Sequence, residues 1–273
     1  MEDENHYEIN HTIVSPNDTP SVPVPAATVL LVRDNNKKIE VFMLKRASRT
    51  NFGGAWVFPG GKLDADDGLK DIADICFGLD DQEASKKLDM EGGGIHYWIA
   101  CIRECFEESG ILLAYRTNGE LISDTSEEES KLINQYRKKL LKGEHVFLDM
   151  MNELNMQLAT DQLAYISHWV TPEFEKKRYN TRFFIAKSPA QEADHDGYEG
   201  VDSKWVNPER ALEEMKQGKF PIIMPTIKSL EFVGKYKTTN EILELNKKNT
   251  YKNIPTIEPK FIIENGKPKL VTN

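Results

Sequence analysis

Three glutamates near the middle of the chain have a spacing that could bind a metal ion. Glu104, Glu107 and Glu108 stand within the segment 103–111, whose sequence is RECFEESGI. Each residue of an α-helix advances by about 100°, so these side chains share one helix face. Carboxylates at this spacing repel each other, and hard divalent cations with oxygen ligands offset that repulsion. The pattern indicates a divalent cation site, with a solvated acidic helix face as the simpler alternative.

The helix that carries these glutamates has a distinct opposite face. Trp98, Ile102, Cys105 and Phe106 fall on that side, which predicts packing against a core. Gly110 comes directly after the acidic residues and easily adopts the left-handed conformation that ends helices. The sequence therefore predicts a helix that ends at Gly110 with one buried face and one acidic face.

A glycine turn precedes the helix, in the segment 56–64 (WVFPGGKLD). Gly60 and Gly61 allow a sharp turn in which the backbone comes close to a ligand. Pro59 fixes the backbone angle at the entry to that turn. The combination of this turn with the acidic helix favours a functional site over a solvated helix face.

Together the two segments resemble the Nudix box, Gly-x5-Glu-x7-Arg-Glu-apolar-x-Glu-Glu-x-Gly-apolar. Gly61 matches its first glycine, and residues 103–111 match its second half without interruption. The chain departs from the pattern in two ways. The acidic residue six positions after Gly61 is Asp67 rather than Glu, and 35 residues separate Asp67 from Arg103 where the pattern has x7.

A split box of this kind resembles one branch of the Nudix family. Phe52 stands four residues before Trp56, and two distant segments, 167–172 (SHWVTP) and 178–184 (RYNTRFF), also resemble that branch. The branch contains acyl-coenzyme A diphosphatases and bacterial hydrolases of unassigned substrate. The resemblance implies an α/β Nudix fold, with a mixed β-sheet sandwiched between α-helices.

The expected domain organisation has three parts. Residues 23–236 are expected to form one Nudix domain, with an insertion at 68–95 inside the box that either shapes the ligand pocket or covers the core. Residues 1–22 lack apolar periodicity and are predicted to be disordered. Residues 237–273 are predicted to be an extension that packs on the surface or on a partner. Within the domain, apolar positions at helical spacing predict a helix over 147–158.

The resemblance implies roles for the acidic residues. Glu104, Glu107 and Glu108 are expected to hold Mg²⁺ or Mn²⁺ and to be catalytic, with the backbone carbonyl of Gly61 as a further ligand. A later acidic loop is expected to supply one more catalytic carboxylate, which accepts a proton. Glu199 is the first choice for this carboxylate.

Asp202 is the second choice for that proton acceptor. Arg46, Arg178 and Arg182 are the predicted substrate-binding residues, because a planar guanidinium binds phosphate oxygens in pairs. The alternatives are a solvated basic loop for Arg46 and an internal ion pair for Arg178 or Arg182. Arg103 is expected to orient the glutamates through an ion pair.

The chemistry implied by the resemblance is hydrolysis of a diphosphate linkage in a nucleoside diphosphate derivative. Coenzyme A or acyl-coenzyme A is the leading substrate. One alternative is an ADP-ribose or nucleotide-sugar pyrophosphatase. The other is a non-catalytic regulatory module that binds a nucleotide, although such modules usually lose the box carboxylates that this chain retains.

Composition narrows the possible partners and compartment. The chain has 273 residues, 35 basic and 44 acidic, and a net charge of −9, which disfavours binding to nucleic acid or to anionic lipid. The sequence contains no run of 18 apolar residues, so no membrane span is predicted. Three cysteines, an odd and sparse set, favour a reducing, cytoplasmic compartment. The expected oligomeric state is a monomer or a homodimer.

Overall fold

The fold begins with a β-hairpin. The computed structural model describes residues 19–50, 52–247, 254–264 and 267–271. Strand β1 (Val24–Asn35) pairs antiparallel with strand β2 (Lys38–Arg46). Asn36 and Lys37 between them have φ values of 48° and 64°, which give the twist that two-residue hairpin turns need. The apolar segments 26–32 and 39–44 on either side of the turn residues 34–36 predict this hairpin, and the structure confirms it.

The hairpin belongs to a mixed sheet of eight strands in the described part of the chain. The later strands are β3 (Trp56–Val57), β4 (Gly60–Lys62), β5 (Ala114–Arg116), β6 (Met156–Leu158), β7 (Ala164–Val170), β8 (Tyr179–Lys187), β9 (Gly200–Val206), β10 (Thr256–Ile257), β11 (Lys260–Glu264) and β12 (Lys267–Val271). The main sheet has the order β10-β7-β8-β1-β2-β3, while β4 pairs with β1 and β9 pairs with β2. The pairs β1–β8 and β10–β7 are parallel, and the other pairs of this sheet are antiparallel.

Helices cover both faces of the main sheet. They are α1 (Lys70–Ala73), α2 (Asp81–Leu88), α3 (Ile95–Ser109), α4 (Glu127–Leu140), α5 (Phe147–Glu153), α6 (Pro208–Lys216), α7 (Met224–Val233) and α8 (Thr239–Lys247). Helices α1 to α5 pack over Val29 and Phe42 on one face, and α6 to α8 pack over Leu30 and Val41 on the other. Because side chains alternate along a strand, each central strand contributes to both cores. The predicted mixed sheet between helices is confirmed.

Helix α3 carries the acidic residues and is anchored by its opposite face. Trp98, Ile102, Cys105 and Phe106 are each at most 1% exposed. The helix ends at Gly110, whose φ of 75° is left-handed and whose N–H donates to the Phe106 carbonyl. Both predictions for this helix, its buried face and its end, are confirmed.

The predicted helix over 147–158 is wrong in its second half. Helix α5 ends at Glu153, and Asn155 then takes a φ of 50° that turns the chain. The next residues form β6, in which Met156 and Leu158 are buried on either side of exposed Gln157. Short apolar runs fit helix and strand periods equally well, and pairing of β6 with β5 selects the strand.

The insertion at 68–95 covers the core. Ile72 and Leu88 are 1% and 5% exposed and belong to the core beneath α3. The Asp81 carboxylate accepts bonds of 3.0 Å from the N–H groups of Gly93 and Ile95, so it caps the start of α3. No residue of the insertion lines the cleft described below.

The C-terminal end of the chain is described more fully than the N-terminal end. Residues 1–18, most of the segment predicted to be disordered, lie outside the described residues. The C-terminal extension packs on the domain, because Ile242 of α8 is fully buried and Thr239 donates to Asp34. Strand β10 continues the extension along the edge of the main sheet. Over the described ranges, no helix has the length and apolar character needed to cross a membrane.

Candidate active site

A cleft of about 1340 Å³ collects most of the predicted site residues. Those that line it are Arg46, Gly61, Glu104, Glu107, Glu108 and Glu199. They come from β2, β4, the last turns of α3 and the loop before β9. The fold thus joins four separate parts of the chain at one surface.

Gly61 lies directly against the carboxylate of Glu104. A Cβ atom added at Gly61 would clash with that carboxylate. The close approach arises because β4 pairs with β1 and lies under α3. A larger residue at this position would displace the Glu104 side chain from the cleft.

Glu108 is buried beside the same turn. Its side chain accepts a 2.8 Å hydrogen bond from the N–H of Gly60, and the residue is 8% exposed. Burial, followed by the charge of Glu104, raises the pKa of Glu108 well above its usual value, while the Gly60 N–H and Arg46 act in the opposite direction. The carboxylate therefore needs positive charge nearby to stay ionised at neutral pH.

Arg103 joins the two halves of the split box. Its Nε and Nη2 donate to the two carboxylate oxygens of Asp67, both at 2.9 Å, and Nη2 also donates to the Lys62 carbonyl at 2.9 Å. Its Nη1 donates to Glu104 at 2.9 Å and to Glu107 at 3.0 Å. The expected ion pairs of Arg103 with the glutamates are present, and fully buried Asp67 anchors them.

The other two glutamates also have raised pKa values. Burial, opposed by Arg103 and reinforced by the charge of Glu107, raises the pKa of Glu104 to about 7. Burial also raises the pKa of Glu107. Carboxyl groups that ionise with difficulty because they are buried favour a bound cation. The donor set of Glu104, Glu107 and Glu108 therefore fits a divalent metal ion.

A second group of possible ligands lies beside the box. Asp64, Asp66 and His145 place one ligand atom each within 4.8 Å of one another, and among the described residues no other such trio occurs. His145 Nδ1 lies 2.8 Å from Asp66, as an ion pair on the surface, and none of the three lines the cleft. The box glutamates, two of which bind the Arg103 guanidinium, line the cleft, whereas this trio does not.

Two arginines fasten the loop that carries Glu199. Arg46 Nη2 lies 3.3 Å from Glu199 Oε2, and the N–H of Ala47 donates to the Glu199 carbonyl at 2.8 Å. Arg49 donates to the Tyr198 carbonyl at 2.7 Å and lies 5.5 Å from the centre of the Tyr198 ring. Glu199 is thus held at the cleft beside basic groups.

Arg178 and Arg182 do not line the cleft. Tyr179, Thr181 and Phe183 do, and side chains that alternate with them along β8 point to the other side. The expectation that these two arginines bind substrate phosphates is therefore not supported by their placement. Asp202 likewise does not line the cleft, which leaves Glu199 as the better placed acceptor.

Both arginines are buried among internal partners. Arg178 pairs with Glu258 at 2.5 Å, which is the internal ion pair left open by the sequence. Arg182 donates to Asn180 at 2.9 Å and contacts His168. Burial and the charge of Arg182 lower the pKa of His168 to about 4, so this histidine is neutral at pH 7.

Several cleft residues were missed by the sequence analysis. The basic ones are Lys62 and Lys177, and the larger apolar ones include Phe52, Trp169, Phe174, Phe183, Ile223 and Met224. Strand alternation in β8 was the available signal for Phe183. Trp169 lies on β7, Lys62 ends β4 and Met224 begins α7, while the others lie on loops. Their approach to the cleft depends on the fold.

Comparison with known proteins gives the same picture. The family model of the NUDT19 Nudix domain matches residues 70–232. The acyl-coenzyme A diphosphatase NUDT19 of Xenopus laevis is 29% identical over 242 residues, which cover 77% of this chain. The protein of the same name from Gallus gallus is 24% identical over 241 residues, or 74% of this chain. The chain spans 63% of the length of each of these curated relatives.

A solved structure supports the fold independently. The crystal structure of a Nudix hydrolase from Alicyclobacillus acidocaldarius matches with a TM-score of 0.66 at 23% identity, over 82% of this chain and 96% of that one. This likeness shows the fold alone. Because the family model covers more than half of the residues, the chain belongs to the Nudix family of the NUDT19 type.

Proposed function

We propose that this protein is a metal-dependent diphosphatase that hydrolyses coenzyme A or acyl-coenzyme A. The observation that carries the proposal is that one cleft holds three carboxylates of the box, several cationic side chains and a long apolar wall. The names of the two curated relatives, both acyl-coenzyme A diphosphatases, support the choice of substrate. Three free cysteines support a reducing compartment such as the cytoplasm.

The two kinds of surface in the cleft match the two parts of such a substrate. Arg46, Arg49 and Lys62 line the cleft on the strands and loop next to the box, and they take the phosphate-binding role first assigned to Arg178 and Arg182. The apolar residues accommodate the pantetheine arm and its acyl group. The volume, about 1340 Å³, exceeds the roughly 300–1000 Å³ of common small-ligand pockets, as an elongated substrate requires.

The reaction adds water across the P–O–P linkage. Glu104, Glu107 and Glu108 would hold the metal, with the Gly61 carbonyl as a further ligand. Bound there, Mg²⁺ or Mn²⁺ would supply positive charge to offset the diphosphate and would make the attacking water more acidic. Arg103 keeps two of the glutamates oriented.

Glu199 is the proposed acceptor for the proton of the attacking water. It lines the same cleft, and its side chain is 56% exposed. Its ion pair with Arg46 holds it there. Replacing it with Gln should lower kcat by about 10² or more.

A substrate screen tests the proposal directly. The purified full chain is incubated with Mg²⁺ or Mn²⁺ and with acyl-coenzyme A, coenzyme A, ADP-ribose or nucleotide sugars. We expect release of adenosine 3′,5′-bisphosphate and a phosphopantetheine product from the coenzyme A compounds. If only ADP-ribose or nucleotide sugars are hydrolysed, they are the substrates and coenzyme A is not. Binding without turnover of any compound would favour the regulatory module.

Dephospho-coenzyme A sharpens the screen. It lacks the 3′-phosphate, and losing a charged hydrogen bond costs about 1.5–3 kcal/mol. If one of the cleft cations binds that phosphate, kcat/KM should fall by roughly one to two powers of ten. Equal values for the two substrates would mean that the 3′-phosphate is not recognised.

A further inference from the structure

We propose that Arg178 is a positioning residue that sets how well the cleft accepts a substrate with a long uncharged arm. It does so by fastening residues 172–177, here called the strap, to segments near both ends of the described chain. The inference rests on the proposed diphosphatase function and adds a device that controls arm-length specificity. It gives Arg178 a role through the shape of the cleft rather than through phosphate contact.

Arg178 bonds to three separate segments. Its Nε donates to the Thr171 carbonyl at 2.9 Å, which closes the base of the strap. Its Nη1 donates to the Ser21 carbonyl at 3.0 Å, ahead of β1. Its Nη2 pairs with Glu258 at 2.5 Å, directly after β10. The side chain of Arg178 is 8% exposed, so water screens these contacts poorly.

The strap is closed by backbone bonds as well. The N–H of Thr171 donates to the Tyr179 carbonyl at 2.9 Å, and the Tyr179 N–H donates to the Thr171 hydroxyl at 3.0 Å. Between these closing points Pro172, Phe174 and Lys177 line the cleft. A change at the Arg178 end of the strap therefore moves residues that form the cleft wall.

The C-terminal segment completes the same wall. Pro259 lines the cleft and is buried, and it follows directly after Glu258. On the other side of Glu258, Thr256 is fixed to β7 by sheet pairing and by a 2.8 Å contact of its hydroxyl with His168 Nδ1. Glu258 is thus held between a sheet edge and a cleft residue, and Arg178 joins it to the strap.

The wall held by Arg178 is separate from the acidic end of the cleft. Within the described residues, the hydrogen bonds of Arg178 reach Thr171, Ser21 and Glu258 and none of the box glutamates. The strap and Pro259 add apolar surface, together with Trp169 and Met224. Loosening the ion pair should weaken binding of an apolar arm and leave hydrolysis of the diphosphate itself unchanged.

The test compares two substrates that differ only in the acyl chain with a third that lacks both the pantetheine arm and the 3′-phosphate. Parent protein, Glu258→Gln and Arg178→Lys are assayed with acetyl-coenzyme A, lauroyl-coenzyme A and ADP-ribose. Glu258 is 32% exposed, so its charge can be removed with little risk to folding. Glu214→Gln is the matched control, because it removes the acid of an exposed ion pair with Arg210 on α6.

We expect KM for lauroyl-coenzyme A to rise about fivefold in Glu258→Gln, the change that about 1 kcal/mol of lost contact free energy gives. KM for ADP-ribose, and kcat for every substrate hydrolysed, should stay within about twofold of the parent. Arg178→Lys keeps the charge but loses the planar set of guanidinium N–H donors, so KM for lauroyl-coenzyme A should rise by an intermediate amount. The control should match the parent throughout.

Two results would overturn the inference, and neither touches the proposed function. An equal change for all substrates would mean that the ion pair only supports the fold, which thermal unfolding of the same variants would register. No change for any substrate would mean that it does not position the wall. If the parent hydrolyses none of the coenzyme A compounds, the proposed function fails instead, and this inference fails with it.

Discussion

Arg103 and Arg178 are both buried charges that need internal partners, but their partners differ. Each is less than 10% exposed, and the guanidinium group of each binds internal partners. The partners of Arg103 are Asp67 and two glutamates that face the cleft. The partners of Arg178 are chain segments that form a wall. Breaking the contacts of Arg103 disturbs the charge at the active site, whereas breaking the contacts of Arg178 disturbs the shape of the cleft wall.

The comparison shows why one role was predictable and the other was not. Arg103 sits in a helix, where a fixed turn per residue places it beside Glu104 and Glu107 as soon as the helix is recognised. Arg178 precedes a strand, where the side that a residue faces depends on the pairing register. A motif match locates such a strand residue in the chain but leaves its side of the sheet undetermined.

The largest expected effect concerns the glutamates held near Arg103. Glu107→Gln and Glu108→Gln keep shape and remove charge, so kcat with Mg²⁺ should fall on the order of 10² or more. Initial rates on the best substrate of the screen measure this. Glu128→Gln, which alters an exposed residue of α4, should keep the parent rate. Rates within a few fold of the parent for the box variants would remove these residues from the mechanism.

The next effect is a difference in the free energy of unfolding between variants that lose a charged partner of Arg103 and of Arg178. Asp67→Asn removes the charge from a fully buried partner of Arg103, and we expect a loss of about 3 kcal/mol in the free energy of unfolding. Glu258→Gln removes a partly exposed partner of Arg178 and should cost about 1 kcal/mol or less. Urea unfolding of both variants measures the difference. Equal losses would show that burial does not distinguish the two ion pairs.

Most of the fold was predictable, because its elements have clear periods. The β1–β2 hairpin and the face of α3 follow from alternation and helical spacing. The strand at Met156 was missed because three residues are too few to show a period. Asp67 stood out only as a departure from the box, and its bond to Arg103 across the insertion depends on tertiary structure.

The raised pKa of Glu104 predicts how pH and cation act together on stability. Its folded pKa of about 7 lies above an unfolded value of about 4.3. The metal-free protein therefore loses stability as pH rises from about 4.3 through 7, since the folded state retains the proton longer. A divalent cation binds the ionised form, so its stabilisation should be larger at pH 8 than at pH 5.

Thermal unfolding with excess Mg²⁺ or with a chelator, at both pH values, measures that linkage. Each 1 kcal/mol of stabilisation shifts Tm by roughly 2–4 °C in a domain of this size class. Glu104→Gln should reduce the pH dependence of the Mg²⁺ effect, and the raised pKa values of Glu107 and Glu108 account for what remains. An equal shift at pH 5 and pH 8 would contradict the link between Glu104 ionisation and cation binding.

The smallest effect concerns the N-terminal contact of Arg178. Residues 1–18 have too little apolar content to offset the entropy of ordering them, so their deletion should change the free energy of unfolding by less than about 0.5 kcal/mol. A deletion that extends through Val22 also removes Ser21, whose carbonyl accepts from Arg178 and whose hydroxyl donates to the Lys176 carbonyl. That longer deletion should cost about 1 kcal/mol, a typical net value for lost hydrogen bonds.

The same pair of deletions tests the strap independently of charge. The shorter one should leave the ratio of kcat/KM for lauroyl- and acetyl-coenzyme A unchanged, and the longer one should lower it about twofold, because Arg178 loses one of its three attachments while keeping Glu258. If the shorter deletion already makes the protein insoluble or inactive, the disorder predicted for this segment is wrong. If the longer one leaves the ratio intact, the N-terminal attachment of Arg178 does not contribute to the shape of the wall.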